Sequence, residues 1–109
     1  MNRGILTTSY ATLLKNINSD EIIEMYKEYY KNEKFIRIYS EGNLPETRFV
    51  RNSNYIDIGI TTDPRTSRVI IVGAIDNLIK GAAGQAVQNM NLMFDRPEDE
   101  GINALPTII

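Results

Sequence analysis

The sequence DNLIKGAAGQAVQNMNLMF, residues 76–94, decides the fold because it directly follows an apolar run, VIIVGAI, residues 69–75. The apolar run predicts a strand, and the stretch after it predicts a helix with small residues in its first two turns. A helix that begins at the end of a strand offers free backbone N–H groups and a partial positive charge to a ligand. Small residues at that point let another backbone or a flat ligand approach closely.

Composition narrows the possible functions. The 109 residues fit one domain, and 42% hydrophobic and 24% charged residues are ordinary for a globular protein. A net charge of −2 gives no basic surface, so nucleic acid is not an expected partner. No apolar run reaches the roughly 20 residues that span a bilayer, so we expect a cytoplasmic protein without a membrane partner. The sequence has no Cys and no His, which excludes a thiol nucleophile and an imidazole base, and no metal site is assigned.

The pattern along the chain predicts an α+β fold. We expect a mostly antiparallel, twisted sheet of four to six strands, covered on one face by a helix over Ser19–Asn32 that Asn18 or Ser19 caps. The strands are predicted over Arg3–Leu14, Phe35–Tyr39, Thr47–Arg51, Asn54–Thr61 and Arg68–Ile75. The last two should form a hairpin around Asp63–Ser67, with Arg68–Ile75 in the centre of the sheet because it is apolar on both faces.

The last helix is predicted over about Asn77–Phe94. Its apolar stripe consists of Ile79, Ala83, Ala86, Met90 and Met93. Its other side is polar but uncharged, with Gln85, Gln88, Asn89 and Asn91. A long polar face without charge is unusual in free solvent and predicts contact with protein or ligand. The apolar tail, Ile102–Ile109, should also find a surface to pack against.

Residues 76–91, DNLIKGAAGQAVQNMN, resemble the C-terminal signature of N-acetyl-gamma-glutamyl-phosphate reductase, an enzyme family of arginine biosynthesis. Weaker resemblances follow the order of that family along the chain: Met1–Leu6, just after the family's catalytic histidine, then Leu44–Thr47, Arg51–Gly59 and Asp63–Arg68. Three residues replace glycines that are usual in the family: Asn52, Ser67 and Asp95. The replacement by Ser67 should be the most unfavourable if its backbone needs a positive φ, because Asn and Asp tolerate that geometry better.

The resemblance implies a two-domain enzyme that reduces an acyl phosphate through a thioester with NADP as cofactor. The fold should resemble the second domain of glyceraldehyde-3-phosphate-dehydrogenase-like reductases. The family's dinucleotide-binding domain and catalytic Cys precede the part that this chain resembles, so residues 1–109 are expected to be a single C-terminal domain that is inactive alone. The expected partners are the missing dinucleotide-binding domain, on which helix 77–94 would pack, a small-molecule substrate and further copies of the chain.

Five residues are candidates for the site. Arg3 is the substrate candidate because its planar guanidinium suits a carboxylate or phosphate; the alternative is an ordinary surface arginine. By resemblance, Asn77 would meet the nicotinamide carboxamide of NADP; the alternative is that Asn77 or Asp76 simply caps the helix. The further cofactor candidates are Lys80, Gly81 and Gly84, with a solvated lysine and tight helix packing as the alternatives.

Two other functions stay open at this point. One is a related reductase that acts on another amino-acid acyl phosphate. The other is a stand-alone dimerisation or interaction module that uses the last helix and its methionines as a contact surface.

Overall fold

The computed structural model describes residues 1–107. Its strands are β1 (Ile5–Thr12), β2 (Ile36–Ile38), β3 (Ile56–Asp63) and β4 (Arg68–Ile75), and its α-helices are α1 (Ser19–Tyr29) and α2 (Gly84–Met93). The strands form one sheet in the order β1-β4-β3-β2. β4 pairs antiparallel with β1 and β3, and β2 pairs parallel with β3. The predicted α+β fold with a mostly antiparallel sheet is confirmed. Within residues 1–107, no helix has the length and apolar character needed to cross a membrane.

The core lies between α1 and one face of the sheet. Ile60 of β3 faces Ile71 of β4 in the register of the hairpin. Ile22 and Ile23 of α1 pack on this face together with Ile60 and Val69. The helix begins where the sequence predicts, since the side chain of Asn18 accepts a hydrogen bond of 2.9 Å from the N–H of Glu21. It ends at Tyr29 rather than at Asn32.

The predicted strand at Thr47–Arg51 is wrong. Residues Thr47–Phe49 form a 3₁₀ turn instead. The N–H of Phe49 bonds to the carbonyl of Glu46 at 3.1 Å, and the N–H of Val50 bonds to that of Thr47 at 3.2 Å. These backbone groups are satisfied locally and do not need a sheet neighbour. The turn also directs Val50 inward, where it is fully buried.

The predicted start of the last helix at Asn77 is also wrong. After β4 the chain makes one wide, π-type turn, Ile79–Ala83, and only then enters α2. Two backbone bonds define this turn: Gly81 N–H to the carbonyl of Asp76 at 3.0 Å, and Ala83 N–H to that of Leu78 at 3.1 Å. Wide turns of this kind are rare and often occur at functional sites.

α2 buries part of its polar side and exposes most of its apolar side. Gly84, Gln88 and Asn91 are the buried residues of this helix. Asn91 donates to the carbonyls of Glu98 and Glu100, at 3.0 Å each. The predicted contact of the polar face with protein is therefore confirmed at Gln88 and Asn91, whereas Asn89 is exposed.

The apolar stripe of the last helix faces outward. Ala83 and Ala86 are exposed, and Met90 and Met93 are 50% and 79% exposed. A stripe of this kind on a helix normally lies against another surface.

The tail returns along the loop before β3, where the N–H of Thr107 bonds to the carbonyl of Arg51 at 2.9 Å. Leu105 and Pro106 border a hollow beside Arg37 and Tyr39. Ile102 is half-buried, but Leu105 remains 75% exposed, so the prediction that the apolar tail packs against a surface is wrong at Leu105. Ile108 and Ile109 lie outside the described residues.

The molecule is a thin slab of 45 × 32 × 18 Å. Its radius of gyration is 15.2 Å, compared with about 13 Å for a compact domain of this length. Every residue of the edge strand β1 is exposed. A thin layer with an open edge strand leaves large surfaces that another chain or domain can cover.

Candidate functional site

Arg3 and Asp76 form the centre of the candidate site, although they are 73 positions apart in the sequence. Because β1 and β4 are antiparallel neighbours, the start of β1 and the end of β4 meet at the same edge of the sheet. The Nε of Arg3 donates to Oδ1 of Asp76 at 2.9 Å, and Nη2 donates to Oδ2 at 2.7 Å. This is a bidentate pair between a guanidinium and a carboxylate. The side chain of Asp76 is completely buried, and that of Arg3 is 30% exposed.

Asp76 also accepts hydrogen bonds from three backbone N–H groups. They come from Asn52 at 2.7 Å, Leu78 at 2.8 Å and Ile79 at 3.3 Å. Burial alone would raise the pKa of Asp76, but the hydrogen bonds from Arg3 and from the backbone outweigh it and lower the pKa to about 2. Asp76 is therefore a carboxylate at any physiological pH, and it ties the start of β1 to the turn after β4.

Asn77 has a fixed amide orientation. Its Oδ1 accepts a hydrogen bond of 2.7 Å from the backbone N–H of Gly4. Because this donor requires an oxygen opposite it, the Nδ2 group of Asn77, which has no partner among residues 1–107, is the end that remains for a ligand. The sequence predicts both a donor and an acceptor for a carboxamide here, and the structure leaves the donor. Gly4 reaches this position with a φ of 96°, a value that favours glycine.

The guanidinium of Arg3 is also largely engaged. Nη2 makes a second bond of 2.7 Å to Oδ1 of Asn52. A guanidinium has five N–H donors, and Asp76 and Asn52 take those of Nε and Nη2. The edge formed by Nε and Nη2 therefore cannot bind a second carboxylate. Within residues 1–107 the two donors of Nη1 have no partner and remain for a substrate. We call Arg3, Asn52, Asp76 and Asn77 the junction cluster.

Lys80 lies apart from the junction cluster. Its ammonium donates to Oε1 of Gln88 at 2.8 Å and lies 5.6 Å from the centre of the Phe35 ring. Burial lowers the pKa of Lys80, while the charges of Glu98 and Glu33 act in the opposite direction. Lys80 is half-buried and connects α2, through Gln88, with the loop before β2, through Phe35.

The two glycine candidates have different surroundings. Gly84 is buried, and a Cβ there would overlap Oδ1 of Asn54 and lie 2.6 Å from the carbonyl oxygen of Ile79. Only glycine fits, so close packing explains this residue. Gly81 is exposed, and a Cβ there would meet Ile75 at an ordinary 3.4 Å. Its bare backbone is not required by packing.

A second buried acid, Asp57, lies on the other side of the sheet from the core. Arg37 pairs with it through Nε and Nη2, and the hydroxyl of Tyr39 donates to it at 2.6 Å. Burial and then this hydrogen bond raise the pKa of Tyr39 to about 12. Arg37 also donates to the carbonyl of Phe49 at 2.9 Å. These contacts hold β2 and the 3₁₀ turn on β3, and they are structural.

The three replacements of glycine all occur at left-handed positions. The φ angles are 63° at Asn52, 54° at Ser67 and 56° at Asp95. The condition under which Ser67 should be the unfavourable replacement is therefore met, since its φ is positive. At Asn52 the replacement adds the bond from Arg3 to the junction cluster, which glycine could not make.

Asp76 was predicted only as a possible cap of the last helix, which its bonds from Leu78 and Ile79 confirm; its pairing with Arg3 was not predicted. The available signal was an acid directly after an apolar strand and before an uncharged helix start, since such an acid is buried with the strand and must be paired. Asn52 and Gly4 had no local signal for their role, because their contacts with Arg3 and Asn77 arise only when β1 and β4 pair.

The chain belongs to a known class of domain. Residues 1–77 match the family described as semialdehyde dehydrogenase, dimerisation domain, and the chain belongs to this family. The N-acetyl-gamma-glutamyl-phosphate reductase of Campylobacter jejuni subsp. doylei is 59% identical over 102 residues, which are 94% of this chain and 30% of that protein. The protein of the same name from Lachnoclostridium phytofermentans is 54% identical over 106 residues, or 97% of this chain and 31% of that protein. The predicted resemblance is confirmed, and the chain spans about 30% of the length of these relatives.

Solved structures share the fold. Aspartate semialdehyde dehydrogenase II from Vibrio cholerae superposes with a TM-score of 0.67 at 20% identity, over 85% of this chain and 28% of that chain. The same enzyme complexed with ASA gives a TM-score of 0.65. At this level of identity the likeness concerns the fold alone.

Proposed function

We propose that the chain is the C-terminal part of an NADP-dependent reductase that converts N-acetyl-glutamyl phosphate to N-acetyl-glutamate 5-semialdehyde in arginine biosynthesis in the cytoplasm. The observation that carries this proposal is the match to reductases of that name along 94–97% of the chain at 54–59% identity. A match along almost the whole chain includes the sheet, the junction cluster and the last helix together.

The chain is inactive alone in this proposal. It contains neither Cys nor His, so it supplies no thiol to form a thioester and no imidazole base. Those groups come from the rest of the enzyme, which also carries the dinucleotide-binding domain. The junction cluster then forms one wall of a site that the other domain completes.

Arg3 contacts the substrate through Nη1. The pair with Asp76 balances its charge, so it contributes directed N–H donors to an acidic substrate group rather than a free positive charge. The remaining Nη1 donors and the 30% exposure of the side chain support this role.

The nicotinamide of NADP supplies the hydride when the cofactor is bound. The free Nδ2 of Asn77 fits the carboxamide oxygen of this ring, because Gly4 already occupies Oδ1. Gly81 would add an exposed backbone on which a flat ring can lie, and Lys80 and Gly84 support this face by holding α2.

The apolar stripe of α2 is the surface for the dinucleotide-binding domain. Ala86, Met90 and Met93 are exposed in this chain, and covering a methionine side chain stabilises a contact by about 1.5–3 kcal/mol. The adaptable methionines suit a surface that meets another domain.

The exposed strand β1 supports self-association, and the description of the matched family as a dimerisation domain supports it further. We propose that the sheet surface at β1 is the contact between copies. Leu6 and Tyr10 project from the same face of this strand and are 49% and 64% exposed. Such apolar groups favour burial against a second copy.

Two other functions are set against this one. A stand-alone dimerisation module is favoured by the same family description, and it predicts a stable dimer in which the junction cluster can be changed without effect. A related reductase for another amino-acid acyl phosphate uses the same fold, as the aspartate semialdehyde dehydrogenases do.

A chimera tests the proposal. In the Campylobacter jejuni reductase, this chain replaces the segment that it matches over 102 residues. The chimera and the isolated chain are assayed with N-acetyl-glutamate 5-semialdehyde, phosphate and NADP, by the formation of NADPH. The chimera should turn over and the isolated chain should not. Turnover by the isolated chain contradicts the proposed division of labour, and a folded but inactive chimera contradicts the proposed function. Aspartate semialdehyde as the competing substrate distinguishes the related reductase.

A further inference from the structure

The junction cluster connects two contacts that the proposed function assigns to different ligands. Arg3 would meet the substrate and Asn77 the cofactor, yet neither side chain holds the other. Both depend on Asp76. The carboxylate is completely buried and accepts from five N–H donors, two on Arg3 and three on the backbone.

The two oxygens of Asp76 divide this work. Oδ1 accepts from the N–H groups of Leu78 and Ile79, which directly follow Asn77, and so fixes the turn that carries Asn77. Oδ2 accepts from Nη2 of Arg3 and from the N–H of Asn52. Nε of Arg3 lies within 2.9–3.1 Å of both oxygens and joins the two halves.

On the basis of the proposed function, we propose that Asp76 is a positioning residue that couples substrate binding to cofactor binding. It holds Nη1 of Arg3 and Nδ2 of Asn77 at a fixed separation, so that hydride donor and acceptor meet in one geometry. It touches neither ligand itself. Small errors of position at a reacting centre lower rates strongly, which is why a rigid link between the two contacts matters.

Asn52 gives the link a second, weaker support. Its Oδ1 accepts from Nη2 of Arg3 at 2.7 Å, while its backbone N–H bonds to Asp76. Because its φ of 63° suits glycine, the variant Asn52→Gly removes the side-chain bond and keeps the backbone. That variant should loosen Arg3 without moving Asn77.

The test uses the chimera with Asp76→Asn. Asparagine has the same shape, but it lacks the charge and turns an NH₂ group toward one of the N–H donors that the carboxylate accepts. We expect the KM values for both semialdehyde and NADP to rise, and kcat/KM to fall by about 10–100-fold, the usual effect of losing a charged hydrogen-bond partner. Arg3→Ala should raise the KM for semialdehyde alone, and Asn77→Ala the KM for NADP alone. In the Asp76→Asn background, Arg3→Ala should add little, because Arg3 is already displaced.

Two further variants separate positioning from folding. Asp57→Asn is the matched control, since Asp57 is equally buried and arginine-paired but lies outside the junction cluster; it should lower stability with unchanged KM values. Asn52→Gly should stay folded and raise only the KM for semialdehyde.

The outcomes distinguish the two proposals. If Asp76→Asn lowers thermal stability like Asp57→Asn but leaves both KM values unchanged, Asp76 is purely structural. If Asp76→Asn fails to fold, an unchanged KM for semialdehyde in Asn52→Gly likewise overturns the positioning role. An inactive parent chimera overturns the proposed function and this inference together, whereas an active parent with unaffected variants overturns the inference alone.

Discussion

Replacement of Gly84 by alanine should destabilise the chain, although alanine is the better helix former. The added Cβ would overlap Oδ1 of Asn54 and lie 2.6 Å from the carbonyl oxygen of Ile79, both closer than real Cβ contacts. Asn54 cannot simply rotate away, because its Nδ2 donates to Gln88 at 3.0 Å inside the protein. The carbonyl of Ile79 belongs to the wide turn and cannot move without the backbone.

The magnitude follows from opposing effects. Forcing an extra carbon into a packed site costs about 1–3 kcal/mol, and displacing the amide of Asn54 loses a hydrogen bond of about 1 kcal/mol. The higher helix propensity of alanine offsets about 1 kcal/mol. We therefore expect Gly84→Ala to lower the free energy of unfolding by about 2 kcal/mol.

Urea unfolding of the isolated chain, followed by far-ultraviolet circular dichroism, measures this change. Gly81→Ala is the matched control in the preceding turn, because its Cβ would have no neighbour closer than 3.4 Å; the free energy of unfolding should stay equal or rise by up to about 1 kcal/mol. A Gly84→Ala protein as stable as the parent would refute the packing argument and return Gly84 to the set of residues that only a ligand explains.

Three other predictions follow from single features. The pKa of Asp76 is lowered to about 2 from 3.8, so its charge stabilises the fold above pH 4 by about 2 kcal/mol, and this stabilisation is lost as the pH falls toward 2. The difference in the free energy of unfolding between the parent and Asp76→Asn should therefore shrink between pH 4 and pH 2. A difference that stays constant over this range contradicts the prediction. Ser67→Gly should raise the free energy of unfolding by about 0.5–1 kcal/mol, because Ser67 has a φ of 54°, whereas a lower melting temperature would speak against strain there. Met90→Glu should leave the stability of the isolated chain within about 0.5 kcal/mol, since surface changes have small effects, yet lower the yield of folded chimera; equal yields would mean that nothing covers the stripe.

The sheet could be predicted because its signals are local. Alternation along Ile56, Ile58 and Ile60, the turn at Asp63–Ser67 and the cap at Asn18 each act within a few residues. The wrong predictions concern segments whose structure is determined by tertiary contacts. Thr47–Arg51 has strand-forming residues, but its backbone N–H groups at Phe49 and Val50 bond to carbonyls three residues earlier, so the segment forms a turn and not a strand.

The last helix shows the same limit in another form. Its two faces and the protein contact of its polar face are visible in the sequence, but its start is not. The first turn is widened because the carbonyls of Asp76 and Leu78 accept hydrogen bonds from N–H groups five residues later. The sequence rules for helix starts do not describe such bonds.

The sequence predicted residues of the candidate site, but not the hydrogen bonds that connect them. Arg3 and Asn77 do meet at one edge of the sheet, but only through Asp76 and Gly4. Lys80 and Gly84 take part in the packing of α2, and their predicted contact with the cofactor stays a prediction. The sequence shows which side chains carry a guanidinium or an amide. Which of their N–H donors stay available for a ligand depends on partners that are distant in the sequence.

The proposed function requires this chain to complete a reductase when it is joined to a dinucleotide-binding domain. The most direct measurement is kcat/KM for N-acetyl-glutamate 5-semialdehyde in the chimera, compared with the unmodified Campylobacter jejuni enzyme and with the same enzyme lacking the replaced segment. We expect the chimera to lie within about tenfold of the unmodified enzyme, a difference of about 1.4 kcal/mol in transition-state stabilisation. A folded chimera no faster than the truncated enzyme would contradict the claim.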